Sequence, residues 1–233
     1  MRILVADDDL VSRLAMEDVL RQCGVPDIVQ AEDGPGAWRE MTGERCFDLI
    51  CLDVRMPPPD GLELVARLRA APALKRVPTM LITSTADRET VLGATRCELQ
   101  GIIVKPVGPD TVTRILRALG QLDASILEPA EAATARLRID GERHARYVGA
   151  FAQQLQVLAG LAHELATPAA GSDSKAAFMQ KADVCRTAAL TLGSTRVEQL
   201  ISDALALLVQ GEPGADRAMA QAVYWLGRVA TRG

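Results

Sequence analysis

Phe47-Asp-Leu-Ile-Cys-Leu-Asp53-Val-Arg-Met-Pro-Pro-Pro-Asp60-Gly61 passes through the apolar segment Leu49 to Leu52 into a carboxylate and then into a turn stiffened by prolines. Leu49 to Leu52 contains no polar residue, the pattern of a strand buried on both faces of a sheet. Three further apolar runs of strand length end in the same manner. Ile3-Leu-Val-Ala6 leads into Asp7 and Asp8, Thr79-Met-Leu-Ile-Thr83 ends on a hydroxyl, and Gly101-Ile-Ile-Val104 leads into Lys105. Carboxylates, a hydroxyl and an ammonium collected at one sheet edge have the chemistry to hold a divalent cation and to accept and retain a phosphoryl group.

Around these runs the first 120 residues alternate strand-like and helix-like periods. Strands are expected at Arg2 to Ala6, Asp27 to Ala31, Phe47 to Leu52, Thr79 to Thr83 and Gly101 to Val104. Helices are expected from about Leu10 to Cys23, Pro35 to Met41, Leu62 to Ala70, Asp87 to Glu98 and Asp110 to Leu119. Five strands alternating with five helices predict an α/β, doubly wound parallel sheet with its ligands beyond the carboxyl ends of the strands.

After Gly120 the strand signal stops. Ala-, Leu-, Gln- and Arg-rich segments predict helices near 129–138, 142–166, 174–191, 194–210 and 215–230, packed as an antiparallel four-helix-type bundle. The chain therefore reads as two domains, 1–120 and 121–233. Their join near 120–124 is too short for a long flexible tether, which predicts domains held in a defined relation.

With 233 residues, 48% of them hydrophobic, the chain has enough apolar material for two cores. The first 120 residues hold 15 Lys+Arg against 18 Asp+Glu and the remainder 11 against 12, so neither half has the basic excess of a DNA reader. The first apolar run is only four residues long before three aspartates, too short for a secretory or membrane segment, and a cytoplasmic protein with no membrane partner is expected. Cys23, Cys46, Cys51, Cys97 and Cys185 are odd in number with no C-x-x-C spacing, and read as reduced, mostly buried thiols. Trp38 and Trp225 fall at apolar helical positions and read as core. Pro57-Pro58-Pro59 is too short for a polyproline recognition motif and reads as a stiffener beside Asp53. No P-loop, nucleophile–base triad or His/Cys metal cluster is present, and independent enzyme activity is not expected.

Taken alone, the Asp7-Asp8-Asp9 run is compatible with a helix-capping cluster. Asp53 changes the reading, because three carboxylates at adjacent strand ends repel one another unless a cation lies between them. Oxygen ligands suit Mg²⁺. Thr83 offers a hydroxyl to a phosphoryl oxygen and Lys105 a compact positive charge.

On these residues the first half resembles the receiver domain of two-component response regulators. The likeness rests on Ile3-Leu-Val-Ala-Asp-Asp-Asp9 with Arg13, on Asp53-x-x-Met-Pro57 with Asp60-Gly61, on Pro78 through Thr83-Ser84, and on Lys105-Pro106. It implies that Asp53 takes phosphate from a sensor histidine kinase, a phosphotransfer protein or a small acyl phosphate, and that the only catalysis is this uptake and slow dephosphorylation. It further implies Mg²⁺ held by Asp8, Asp53 and the backbone carbonyl of Arg55, with Asp7 acting through water and Lys105 pairing with the phosphate. Two residues depart from the family pattern. Ile102 stands where an aromatic often sits, which argues against an aromatic-gated switch, and the cationic Arg55 is placed to affect the lifetime of the phosphorylated state.

The second half resembles a histidine phosphotransfer domain, in Ile139-Asp-Gly-Glu-Arg-His-Ala-Arg-Tyr147, in the Phe151 to Leu165 helix, and in Ala182-Asp-Val-Cys-Arg-Thr-Ala-Ala-Leu-Thr-Leu-Gly193. Asp183 occupies the place of the phosphorylated histidine, Arg186 that of a basic residue and Thr187 that of a glycine. The resemblance thus implies a degenerate domain that docks partners, such as a kinase, another receiver or a downstream effector, without carrying phosphate. As a plain surface feature, Asp183 and Arg186 form an i,i+3 pair.

A rival reading rests on His163-Glu-Leu-Ala-Thr-Pro168, which resembles the phosphoacceptor box of histidine kinases and would make the protein a relay through His163. The chain lacks a Gly-rich ATP-binding region like that of those kinases, and His163 otherwise reads as a helix-end histidine. His144 is expected on the surface of its helix. A DNA-binding transcription regulator is the third and weakest reading.

Overall fold

The structure, a computed structural model, describes residues 1–84, 99–166 and 172–230. The chain divides into two compact units, Met1–Gln121 and Leu122–Gly233.

The first unit is built on β1 (Arg2–Ala6), α1 (Leu10–Gln22), β2 (Asp27–Ala31), α2 (Gly34–Thr42), β3 (Leu49–Asp53), α3 (Gly61–Ala70), β4 (Thr79–Thr83), β5 (Gly101–Val104) and α4 (Pro109–Ile126). The strands form one sheet in the order β2-β1-β3-β4-β5, and every pairing is parallel. All five residues of β3 and of β4 are buried, whereas β2 and β5 at the edges are partly exposed. This difference explains why β3 and β4 read as continuous apolar runs.

Successive side chains leave opposite faces of the sheet. Leu4, Ala6, Ile50, Leu52 and Leu81 form one cluster with Ala37 and Met41 of α2 and Leu64, Val65 and Leu68 of α3. The alternate residues Ile3, Val5, Cys51 and Ile82 are equally buried. Aspartates start the helices that follow β1, β2 and β3. Asp9 accepts from the Ser12 amide, Asp33 from Gly36, and Asp60 forms a reciprocal capping box with Glu63. Two glycines permit close approach there. A Cβ at Gly61 would lie 2.1 Å from the Asp53 carbonyl oxygen, and one at Gly34 would lie 2.0 Å from that of Pro59.

Two elements differ most from expectation. The third strand starts at Leu49 and includes Asp53, while Phe47 packs into the core ahead of it. The helix expected to stop at Leu119 continues to Ile126, because Leu122 and Ile126 extend the buried stripe of Ile115, Ala118 and Leu119 and a single glycine, Gly120, does not break it. From Leu122 its residues fall in the second unit. The helix expected over Asp87 to Glu98, with Cys97, lies outside the described residues.

The second unit contains α5 (Ala130–Leu137), α6 (Gly141–Leu165), α7 (Ser172–Thr191), α8 (Thr195–Gln210) and α9 (Ala215–Ala230). α6 and α8 each pack against both α7 and α9, closing a four-helix ring, and α5 packs against α6. Phe151, Leu155 and Leu158 meet Phe178, Cys185, Leu200, Ile201, Met219 and Trp225 inside it, together with Ile126 and Leu127. Small residues Ala182, Cys185 and Ala189 on α7 let its neighbours approach. Arg196 lies over the Trp225 ring, 5.2 Å from its centre. Gly193 and Gly211, at φ 65° and 74°, take the left-handed conformation just beyond α7 and α8. Arg228 pairs with Asp123 at 2.5 Å, and the Ser194 hydroxyl donates to the Ile126 carbonyl.

His144 is not a surface residue. It is 5% exposed, and its Nε2 has no hydrogen-bond partner among the described residues. It occupies the same row of α6 as Val148, Phe151 and Leu155, so the helical period carries it inward with them. Cys46, Cys51 and Cys185 are buried and Cys23 half-buried, all as free thiols.

Candidate functional site

Parallel β1, β3, β4 and β5 end at one edge of the sheet, and four of the residues singled out in the sequence lie at or just beyond those ends. Asp7 follows β1 and Asp53 closes β3; they are 1% and 3% exposed. Thr83, also buried, closes β4 in register with Val104. The next residue after Val104 is Lys105, whose backbone N–H donates to the Thr83 carbonyl at 2.8 Å.

Lys105 joins the two buried acids. Its Nζ lies 2.7 Å from Asp7 Oδ2 and 2.7 Å from Asp53 Oδ1. The other oxygen of each acid is also held. Asp7 Oδ1 accepts from the Asp9 amide at 3.0 Å, and Asp53 Oδ2 from the Arg55 amide at 2.7 Å. Burial pushes the Asp53 carboxyl above its ordinary range; Lys105 opposes that shift and the charge of Asp7 adds to it. Burial works against the Lys105 ammonium, but its hydrogen bonds to Asp53 and Asp7 raise its pKa overall.

Asp8 is exposed, yet an oxygen from each of Asp7, Asp8 and Asp53 lies within 4.8 Å of the others. Three carboxylates converging so closely, two of them buried, form an all-oxygen donor set that fits a small hard cation. The Arg55 side chain is exposed in the turn after β3. Ile102 is half-buried and packs against the sheet core.

The residues singled out in the helical half lie on α7 and α6. The Asp183 side chain is 75% exposed and 3.6 Å from Arg186 Nη1. Arg186 also donates through Nε to Glu198 on α8 at 3.1 Å, and Glu198 accepts from Ser202 as well. Thr187 is exposed, and its hydroxyl donates to the Asp183 carbonyl. His163 is exposed in the last turn of α6. Thr167 and Pro168, the rest of its motif, lie outside the described residues.

One neighbour of the acids has no role that its place in the sequence suggests. Arg13, counted only as part of a resemblance, turns its guanidinium back from α1 onto the Asp7 carbonyl. The signal was a basic residue one turn into a helix that begins on an aspartate. Lys105, expected to pair with a phosphate, instead bridges the two buried acids, its side chain reaching past the end of β4 to β3 and β1.

Residues 3–117 match the family model of the response regulator receiver domain. The chemotaxis protein CheY-3 of Vibrio cholerae is 35% identical over 106 residues, 46% of this chain and 81% of that protein. CheY1 of Helicobacter pylori is 29% identical over 119 residues, 51% of this chain and 96% of that protein. A solved structure of V. cholerae CheY4 is similar with a TM-score of 0.46 and 27% identity, covering 51% of this chain and 97% of that one. The chain belongs to the response regulator receiver family and is a two-component signalling protein. The family match ends at residue 117, within α4.

Proposed function

We propose that Asp53 is the phosphoacceptor of a Mg²⁺-dependent switch whose output is protein–protein interaction through the helical unit. The observation that carries this reading is the convergence of Asp7, Asp8 and Asp53 with Lys105 at the carboxyl edge of the sheet. An Asp53 oxygen attacks the phosphorus of a phosphohistidine on a kinase or phosphotransfer protein. The P–N bond breaks, and its electron pair stays on the imidazole nitrogen, which takes up a proton. Asp8 and Asp53, with the Arg55 carbonyl, would hold the cation, and Asp7 would act through water. When bound, Mg²⁺ would neutralise charge on the transferring group. Lys105 is placed to leave Asp53 and pair with the new phosphoryl oxygens, and the Thr83 hydroxyl to donate to one of them.

The helical unit serves as a degenerate phosphotransfer-like docking module. Asp183 has no nucleophilic imidazole, Thr187 adds a branched side chain where close approach favours glycine, and Arg186 is engaged by Glu198. Partners are therefore proteins: a kinase, another receiver or an effector for which the module competes.

The test is incubation of the full chain with Mg²⁺ and a radiolabelled small acyl phosphate, beside Asp53→Asn and His163→Ala variants. Acid-resistant label lost only in Asp53→Asn is expected. Acid-labile label lost in both variants would instead make the protein a relay through His163.

A further inference from the structure

Arg13 is a charged residue only 9% exposed. Its Nη1 donates to the Asp7 carbonyl at 2.7 Å, a buried bond from the first turn of α1 back to the end of β1. With that bond, every polar atom of Asp7 is held. Its amide donates to the Ala31 carbonyl, and its two carboxylate oxygens are taken by the Asp9 amide and Lys105.

Asp8 is in the opposite situation. It is exposed, and its carboxylate has no hydrogen bond or ion pair among the described residues. Where its side chain starts is set by its backbone, and the peptide unit linking it to Asp7 is planar. The carbonyl of that same peptide unit is the atom that Arg13 grips. The guanidinium also places a fixed positive charge beside a site where three carboxylates converge.

We infer that Arg13 is a positioning residue of the acidic site: by fixing the Asp7–Asp8 peptide it aims the Asp8 carboxylate at the point that Asp7 and Asp53 share. This inference rests on the reading of the three carboxylates as a divalent-cation site. It gives α1 a part in that site that reaches beyond its cap, and makes metal affinity depend on a side chain that ligates nothing.

The test is calorimetric titration of the full chain with Mg²⁺ alone, comparing wild type with Arg13→Gln and Arg13→Lys. Arg13 borders a polar cleft of about 500 Å³ shared with Gln30, Glu32 and Asp33, so shortening it opens onto polar space rather than leaving an apolar void. Loss of an outer partner of a ligand typically weakens metal binding about 10–100-fold, and Arg13→Gln should fall in that range. Arg13→Lys, whose shorter, differently shaped side chain must bring an ammonium to the carbonyl that Nη1 reaches, should lose several-fold. In an Asp8→Ala background, where the group being aimed is gone, Arg13→Gln should cost less than about twofold. A purely structural arginine would not show that coupling.

Unchanged affinity in folded Arg13→Gln, or an equal loss with and without Asp8, would overturn the inference. Should Arg13→Gln not fold, Arg13→Lys decides by the same measurement, with unchanged affinity again overturning it. A wild-type chain that takes up no Mg²⁺ would instead refute the underlying reading of the acidic cluster.

Discussion

A carboxylate buried beside another carboxylate is held there against its own charge, and Asp53 is such a group. Its folded-state pKa is raised by burial despite Lys105. The stability linked to its proton is fully present below the unfolded-state pKa and is lost as the pH rises through the higher folded-state value. At neutral pH the metal-free protein thus carries a cost that Asp53→Asn removes. That variant is expected to melt a few degrees higher than wild type in EDTA at pH 7, with the gain shrinking as the pH is lowered toward the carboxylate range. Added Mg²⁺ should reverse the order, raising the melting temperature of the wild type and leaving the variant little changed. Arg55 gives a kinetic counterpart. Its cation sits in the turn just after Asp53, so if Asp53 takes up phosphate as proposed, Arg55→Ala is expected to shed radiolabel several-fold faster, and an unchanged half-life would show that Arg55 does not shield the phosphoryl group.

At the level of elements, the glycines separate close packing from open space. The N-terminus of α3 can meet the end of β3 only because Gly61 has no side chain, so Gly61→Ala is expected to lower thermal stability by about 2 kcal/mol or more, as strain at a crowded position does. Gly149 and Gly160 on α6 have nothing within 4 Å of where a Cβ would stand. Alanine at either position should stabilise the helical unit by roughly 0.5–1 kcal/mol, measured as a shift in denaturation midpoint. Elements were legible wherever one period governed a run. β3 and β4 announced themselves as apolar runs because both of their faces are covered, and the long helices because their buried rows repeat every third or fourth residue. What the sequence hid was the outcome of packing. The last turns of α4 continue past Gly120 because Leu122 and Ile126 are buried, and His144 goes inward because it shares a row with Val148. The acids, the threonine and the lysine could be picked out from strand ends alone, but Arg13 could not, since its contact depends on how α1 folds back across β1.

For the molecule as a whole, the two compact units do not correspond to the two sides of a break in secondary structure. The boundary after Gln121 falls inside α4, and the residues beyond it are integral to the second unit. Asp123 pairs with Arg228, Ile126 and Leu127 enter the bundle core, and the Ile126 carbonyl accepts from Ser194. A fragment beginning at residue 129 leaves Arg228 without Asp123 and Ser194 without its acceptor. It should unfold at markedly lower denaturant than a fragment beginning at residue 122, by about 3 kcal/mol or more from the lost aliphatic contacts and broken ion pair together. No helix among the described residues is long and apolar enough to cross a membrane.

Cys51 lies two residues before Asp53 in β3, fully buried, with its thiol pushed up to about 12 by desolvation. The thiolate is the form that reacts with peroxide and alkylating agents, and at neutral pH this sulfur holds almost none of it. The strand that ends on Asp53 therefore carries a thiol of low reactivity, and the phosphoryl uptake proposed at Asp53 should be equal in reducing and mildly oxidising surroundings.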